Sequence, residues 1–149
     1  MLGAYIIVKS IETFRGAAQS WECDFLGHLN TRFYTGMFDQ ATANLFAELG
    51  DALKQLHVER KGWVTAMQHT EYLCEVLAGT CLIIRTQIEK VGNRSLSLAH
   101  EMYAVGKSEP VARMAVRAVY FDLESRRPIA MPEFIQERAN ALRDFVPEA

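Results

Sequence analysis

Apolar residues recur at helical spacing between positions 31 and 49 (TRFYTGMFDQATANLFAEL), where Tyr34, Met37, Phe38, Ala41, Leu45 and Leu49 fall three or four positions apart without a proline. That spacing gathers side chains on one face and predicts a long α-helix. Asn30 or Thr31 can cap its start, because a short polar side chain accepts from the free first-turn amides, and Gly50 stands where a C-terminal cap belongs. Gly36 and Asn44 interrupt the apolar surface and suggest a helix surrounded on more than one side.

The period then changes from about 3.6 to 2. WVTAMQHTEY (63–72) reads as a strand, and TCLIIRTQIEKV (80–91) alternates Leu82, Ile84, Thr86 and Ile88 against Ile83, Arg85, Gln87 and Glu89. Gly92-Asn93 signals a turn, after which SLSLAHEMYA (95–104) alternates Leu96, Leu98, His100 and Met102 against smaller or polar residues. A polar connection, Gly106 to Glu109, ends in Pro110, and VARMAVRAVYFD (111–122) follows as a long strand. Ala112, Met114, Val116, Ala118 and Tyr120 form one face of it, while Val111, Ala115, Val119 and Phe121 share the other with Arg113 and Arg117. One helix covers only one face of a sheet, so apolar residues on the second face predict a homo-oligomer.

Residues 12–22 (ETFRGAAQSWE) predict an opening strand, and 132–145 an amphipathic terminal helix with Pro132 in its first turn and Ile135, Ala139 and Leu142 on one stripe. The expected plan is therefore α+β: a strand, a long helix and four strands in an antiparallel meander, one curved sheet around one helix. With 149 residues and neither repeats nor low-complexity segments, a single domain over 1–149 is expected.

Composition narrows the function. Half the residues are hydrophobic and 23% charged, which is too apolar for disorder. The 16 basic and 18 acidic residues are scattered, so no basic stripe advertises nucleic acid. No segment approaches the roughly 18 apolar residues of a membrane span, and MLGAYIIVKSIE lacks the basic start and cleavage site of a signal peptide. Cys23, Cys74 and Cys81 match neither a CxxC pair nor a zinc knuckle, which favours reduced thiols in the cytoplasm. His28, His57, His69 and His100 show no HExxH or HxH spacing, so neither a metal nor another cofactor is expected.

One stretch concentrates chemistry. In WECDFLGHLNTRFY (21–34), Asp24, Gly27, His28 and Asn30 crowd into seven positions ahead of the helix. By itself this reads most simply as a turn: Asp bonds the local backbone, Gly accepts positive φ and Asn caps. The D-x-x-G-H-x-N run of Asp24 to Asn30, the following helix with Tyr34, Phe38, Asp39 and Ala41, and KVGNRSLS (90–97) resemble the hotdog-fold acyl-CoA thioesterases, in particular the group named for 4-hydroxybenzoyl-CoA thioesterase. The resemblance spans about residues 12–122. It implies a sheet wrapped around a central helix, homodimers with joined sheets that often pair into tetramers, and acyl-CoA sites at the dimer interface. Asp24 would then attack the thioester carbonyl or activate water, and the backbone amide of Thr31 would polarise the carbonyl oxygen. His28 is a further candidate for the chemistry. Asn30, Tyr34, Asn93, Arg94 and Ser95 are the expected substrate-binding residues.

The chemistry accords with those roles. A thiolate whose parent thiol has a pKa near roughly 8.5 leaves with little help from a general acid, so one carboxylate and one oxyanion donor suffice. Arg126 and Arg127 could meet CoA phosphates, and Phe33 and Trp63 could line an acyl pocket, although each also reads as ordinary surface or packing. His100, on the Leu96, Leu98 and Met102 stripe, reads as a core histidine. Two alternatives stay open. A hotdog hydratase or dehydratase would use His28 with Asp39, but the prolines expected around its histidine are missing, since the first proline is Pro110. A non-catalytic acyl-CoA-binding module would use the same pocket without turnover.

Overall fold

The computed structural model describes residues 10–50 and 52–144. The chain runs through β1 (Ile11–Ala17), a turn of 3₁₀ helix (Ser20–Glu22), α1 (Thr31–Leu49), α2 (Ala52–His57), β2 (Lys61–Tyr72), β3 (Cys81–Val91), β4 (Ser95–Ala104), β5 (Ala112–Asp122), β6 (Arg127–Pro128) and α3 (Glu133–Asp144). The expected long helix is present over its predicted range. Tyr34, Met37, Phe38, Ala41, Thr42, Leu45 and Leu49 form its buried face. Gly36 and Asn44 are exposed, so within one chain the helix is covered on one side rather than several.

The sheet order is β1-β3-β4-β5-β2, every neighbouring pair antiparallel, with β6 pairing β5. This corrects the four-strand meander. Only β3, β4 and β5 follow one another; β2 lies beyond β5, and residues 73–80 carry the chain from its end across to β3. Buried Val76 anchors that crossover, and its carbonyl accepts from the amide of Leu29 at 2.8 Å. The opening strand is shorter than expected, because the chain turns into the 3₁₀ helix and leaves Trp21 74% exposed. The short α2 was not foreseen. The terminal helix forms with Ile135 and Ala139 buried, its predicted end at 145 falling outside the described residues, as does most of the apolar run near the N-terminus.

The inner face packs Leu82, Ile84, Leu96, Leu98, Met102, Met114, Val116 and Tyr120 against Phe38 and Leu45 of α1. The outer face is less apolar than expected. Register places Glu12, Arg85, Glu101, Arg113 and Glu71 opposite one another across all five long strands, alternating in sign, and Arg113 Nε donates to Glu101 Oε1 at 2.9 Å. Opposite charges on neighbouring strands are favourable cross-strand partners.

One polar cluster lies inside the core. His100 is 1% exposed, with Nδ1 2.6 Å from Thr86 Oγ1 and Nε2 3.0 Å from Thr42 Oγ1. Thr86 meets Thr13 Oγ1 at 2.7 Å, and Thr42 donates to the Phe38 carbonyl at 3.0 Å. Helix α1 is thereby tied to three strands. Burial holds His100 down to about 4, so the ring is neutral.

Candidate functional site

The motif loop is built by its own backbone. Leu29 bridges back to Cys23, Asp24 N–H donates to the His28 carbonyl at 2.9 Å, and Gly27 N–H donates to the Asp24 carbonyl at 2.9 Å. Gly27 takes φ 82°, a conformation most side chains resist. Within this turn Asp24 Oδ1 accepts from the amides of Leu26 at 2.8 Å and His28 at 3.4 Å. Among the described residues no donor reaches Oδ2.

Asn30 then starts α1. Its Oδ1 accepts from Arg32 N–H at 3.1 Å and its carbonyl from Phe33 N–H at 2.9 Å. The amide of Thr31 has no acceptor among the described residues. A helix start thus leaves one N–H free at its positive end.

Asp24, His28, Thr31 and Tyr34 line one open pocket of about 300 Å³, together with Tyr72 and Glu75. Tyr72 ends β2, and the crossover brings Glu75. Tyr72 meets Tyr34 edge to face, with ring centroids 5.1 Å apart, and Glu75 Oε2 lies 2.5 Å from His28 Nε2. Burial pushes the Tyr34 phenol up to about 12, so it stays protonated at neutral pH. Around the pocket the surface is apolar: Trp21, Phe25, Leu26, Leu73 and Leu77 are all exposed, Phe25 by 97%.

The other expected residues lie elsewhere. Asn30 works as the cap. Asn93, Arg94 and Ser95 follow β3 at the far end of the sheet, where the carbonyls of Asn93 and Arg94 accept from Met131 and Tyr120. Ser95 pairs with Val119, while Tyr72 pairs with Ala112; seven residues of β5 separate these rows, roughly 23 Å at about 3.3 Å per residue. Arg126 and Arg127 share that far end, Arg126 lying over the Phe121 ring. Trp63 stacks on Phe46 at 4.8 Å and packs against the core, and Phe33 lies beneath Arg32, so neither lines this pocket. Asp39 accepts from Gln68 Nε2 at 2.9 Å and is also outside it, which leaves the His28 and Asp39 pair unformed.

Sequence reasoning passed over Tyr72, Cys74 and Glu75, which also borders the pocket. Tyr72 is the last residue of β2 and the other two follow it, and no local period or motif marks them. Among the described residues no group of His, Cys, Asp and Glu is arranged to hold a metal, and no helix is long and apolar enough to cross a membrane.

Comparison with known proteins bears on the family and the fold. The model of the thioesterase-like superfamily matches residues 18–139. The betainyl-CoA thioesterase of Pseudomonas aeruginosa is 26% identical over 121 residues, covering 81% of this chain and 76% of that one. A Thermus thermophilus thioesterase solved with coenzyme A and Zn is 28% identical with a TM-score of 0.74, over 89% of this chain and 93% of that one. A Staphylococcus aureus protein solved with CoA shares the fold at a TM-score of 0.86 and 18% identity, over 94% of this chain and 89% of that one.

Proposed function

Because this thioester hydrolase belongs to the thioesterase-like superfamily, with the hotdog fold, we propose that it cleaves an acyl-CoA to the free acid and CoA through Asp24 and the Thr31 amide. The observation that carries this is the pairing, on one pocket, of a carboxylate oxygen and a helix-start amide that have no partner among the described residues. Asp24 Oδ2 attacks the thioester carbon directly or takes a proton from the attacking water. The Thr31 N–H donates to the carbonyl oxygen as negative charge develops there, helped by the helix dipole. One such donor is typically worth about 2.7 to 4 kcal/mol of barrier. CoA then departs as thiolate; on the water route this leaves the free acid at once, and on the direct route it leaves an acyl anhydride on Asp24 that water hydrolyses to the acid, restoring the carboxylate.

Two copies complete the site in this reading. Strand β2, twelve residues long, pairs only with β5 among the described residues, and Val64, Met67 and Tyr72 on it are exposed. Such an edge is a template for another strand. Antiparallel pairing of two β2 edges reverses direction, so it carries the far end of a second copy, with its Asn93, Arg94, Ser95, Arg126 and Arg127, toward the first copy's Asp24. The three arginines then serve the CoA phosphates, and the apolar rim of the motif loop is covered. Pairing of two such dimers gives a tetramer. The free thiols Cys23, Cys74 and Cys81 support a reducing compartment, the cytoplasm.

The test is free-thiol release from acyl-CoAs ranging from acetyl to palmitoyl, with benzoyl, hydroxylated and betainyl forms. The betainyl form is included because the P. aeruginosa relative is named for it. Asp24→Asn should lose about 10² to 10⁴-fold in kcat on the best substrate while keeping fold and oligomer. Unchanged turnover removes Asp24 from the mechanism. Tight acyl-CoA binding with no thiol release over hours would instead mark a binding module. In sedimentation, Met67→Glu should weaken the dimer.

A further inference from the structure

We propose that Glu75 is the positioning residue of this site, holding the His28 imidazole in one orientation and one tautomer beside Asp24. The inference rests on the hydrolase reading above and extends it to a residue more than forty positions from the motif.

Backbone contacts deliver Glu75. On either side of the crossover's buried Val76, whose carbonyl takes the Leu29 amide, Glu75 faces His28 and Leu77 forms a bridge with His28. Further along, Gly79 N–H donates to the Ala18 carbonyl at 2.7 Å, and Ala18 N–H donates to the Thr80 carbonyl at 2.9 Å. The crossover is thus joined to the motif loop at Val76 and Leu77 and to the end of β1 at Gly79 and Thr80, and Glu75 starts its reach from a fixed point. Its 2.5 Å contact with Nε2 is a short, charge-assisted hydrogen bond.

Folding gives little reason for this pair. Its side chains are 33% and 66% exposed, and exposed ion pairs contribute little to stability, while the neighbouring backbone bridges already hold loop and crossover together. The consequence for the site is chemical. With a carboxylate accepting at Nε2, the hydrogen of the neutral ring sits on Nε2, and Nδ1 carries the lone pair. The backbone amide of the same residue donates to Asp24 Oδ1, so one five-residue turn fixes carboxylate and imidazole relative to each other. Glu75 makes that relation specific by preventing the ring from turning over. The arrangement follows the general pattern in which a carboxylate orients a site histidine.

Ring ¹⁵N shifts of histidine-labelled protein test the proposal, with the His28 signals assigned through His28→Asn. Wild type should show the Nε2–H tautomer of His28. Glu75→Ala should show a tautomer mixture and a kcat lower by on the order of tenfold with KM little changed, since a misplaced group costs rate rather than ground-state binding. Glu75→Gln keeps an acceptor, so it should restore the ring signature and bring kcat back toward wild type. Thermal unfolding of each variant checks that the fold is intact. An unaltered ring signature in Glu75→Ala overturns the proposal, and so does an altered signature with unaltered kcat. If wild type hydrolyses no acyl-CoA, the hydrolase reading fails on its own evidence, while the ring signature still decides whether Glu75 holds His28.

Discussion

His100 and His28 occupy opposite kinds of polar site. Around His100 every partner is neutral and buried, and both ring nitrogens meet threonine hydroxyls. The donors there can be ordered: Thr42 gives its hydrogen to the Phe38 carbonyl, so it accepts from Nε2–H, which leaves Nδ1 to accept from Thr86. Around His28 the partner is an exposed carboxylate, and Oδ2 of neighbouring Asp24 and the Thr31 amide have no partner among the described residues. A closed network spends all its hydrogen-bonding capacity on the fold; an open one keeps capacity for a ligand. Location on an apolar stripe or in a glycine turn hinted at this difference, and hydrogen-bond completion now defines it.

Acid should separate the two most strongly. His100 titrates near 4 in the folded chain and near 6.5 unfolded, so its contribution is complete above about pH 6.5 and is lost as pH falls toward 4. The loss should reach about 3 kcal/mol, read as the difference in urea-unfolding free energy between pH 7 and pH 4 in wild type against His100→Asn. Next, Thr86→Val should cost about 1 to 3 kcal/mol at pH 7 by denaturant unfolding, because a methyl replaces the donor to a buried nitrogen. At the open site Asn30→Ala should cost about 1 kcal/mol through loss of the cap, with Asn30→Asp near wild type in thermal unfolding. The smallest stability effect is expected from Asp24→Asn, within about 0.5 kcal/mol, since an amide oxygen still accepts from Leu26. That variant should nevertheless show the largest loss of turnover.

Periodicity made α1 legible in full, along with the buried faces of β3, β4 and β5, because each pattern is local and repeats several times. The placement of β2 was not legible. Its residues face little of the core, so their sequence does not specify which neighbour they pair with. The same limit applies to the site. Asp24, His28, Thr31 and Tyr34 lie within one turn and the helix start that follows, and the pocket gathers them. Tyr72 ends β2 and Glu75 arrives by the crossover, a route set by buried Val76 and the backbone bridge of Leu77 that no spacing records. Asn93, Arg94 and Ser95 were readable as a turn, but a turn does not say which end of a sheet, or which copy of the chain, it serves.

The bare edge of β2 also bears on how the chain survives its own synthesis. Among the described residues its twelve residues have β5 on one side only, and they include the run Trp63 to Met67, the composition that promotes indiscriminate strand stacking. Lys61 before that run, with His69 and Glu71 after it, interrupts the hydrophobic stretch with ionisable side chains. Charged and polar residues placed this way disfavour indiscriminate pairing along that edge.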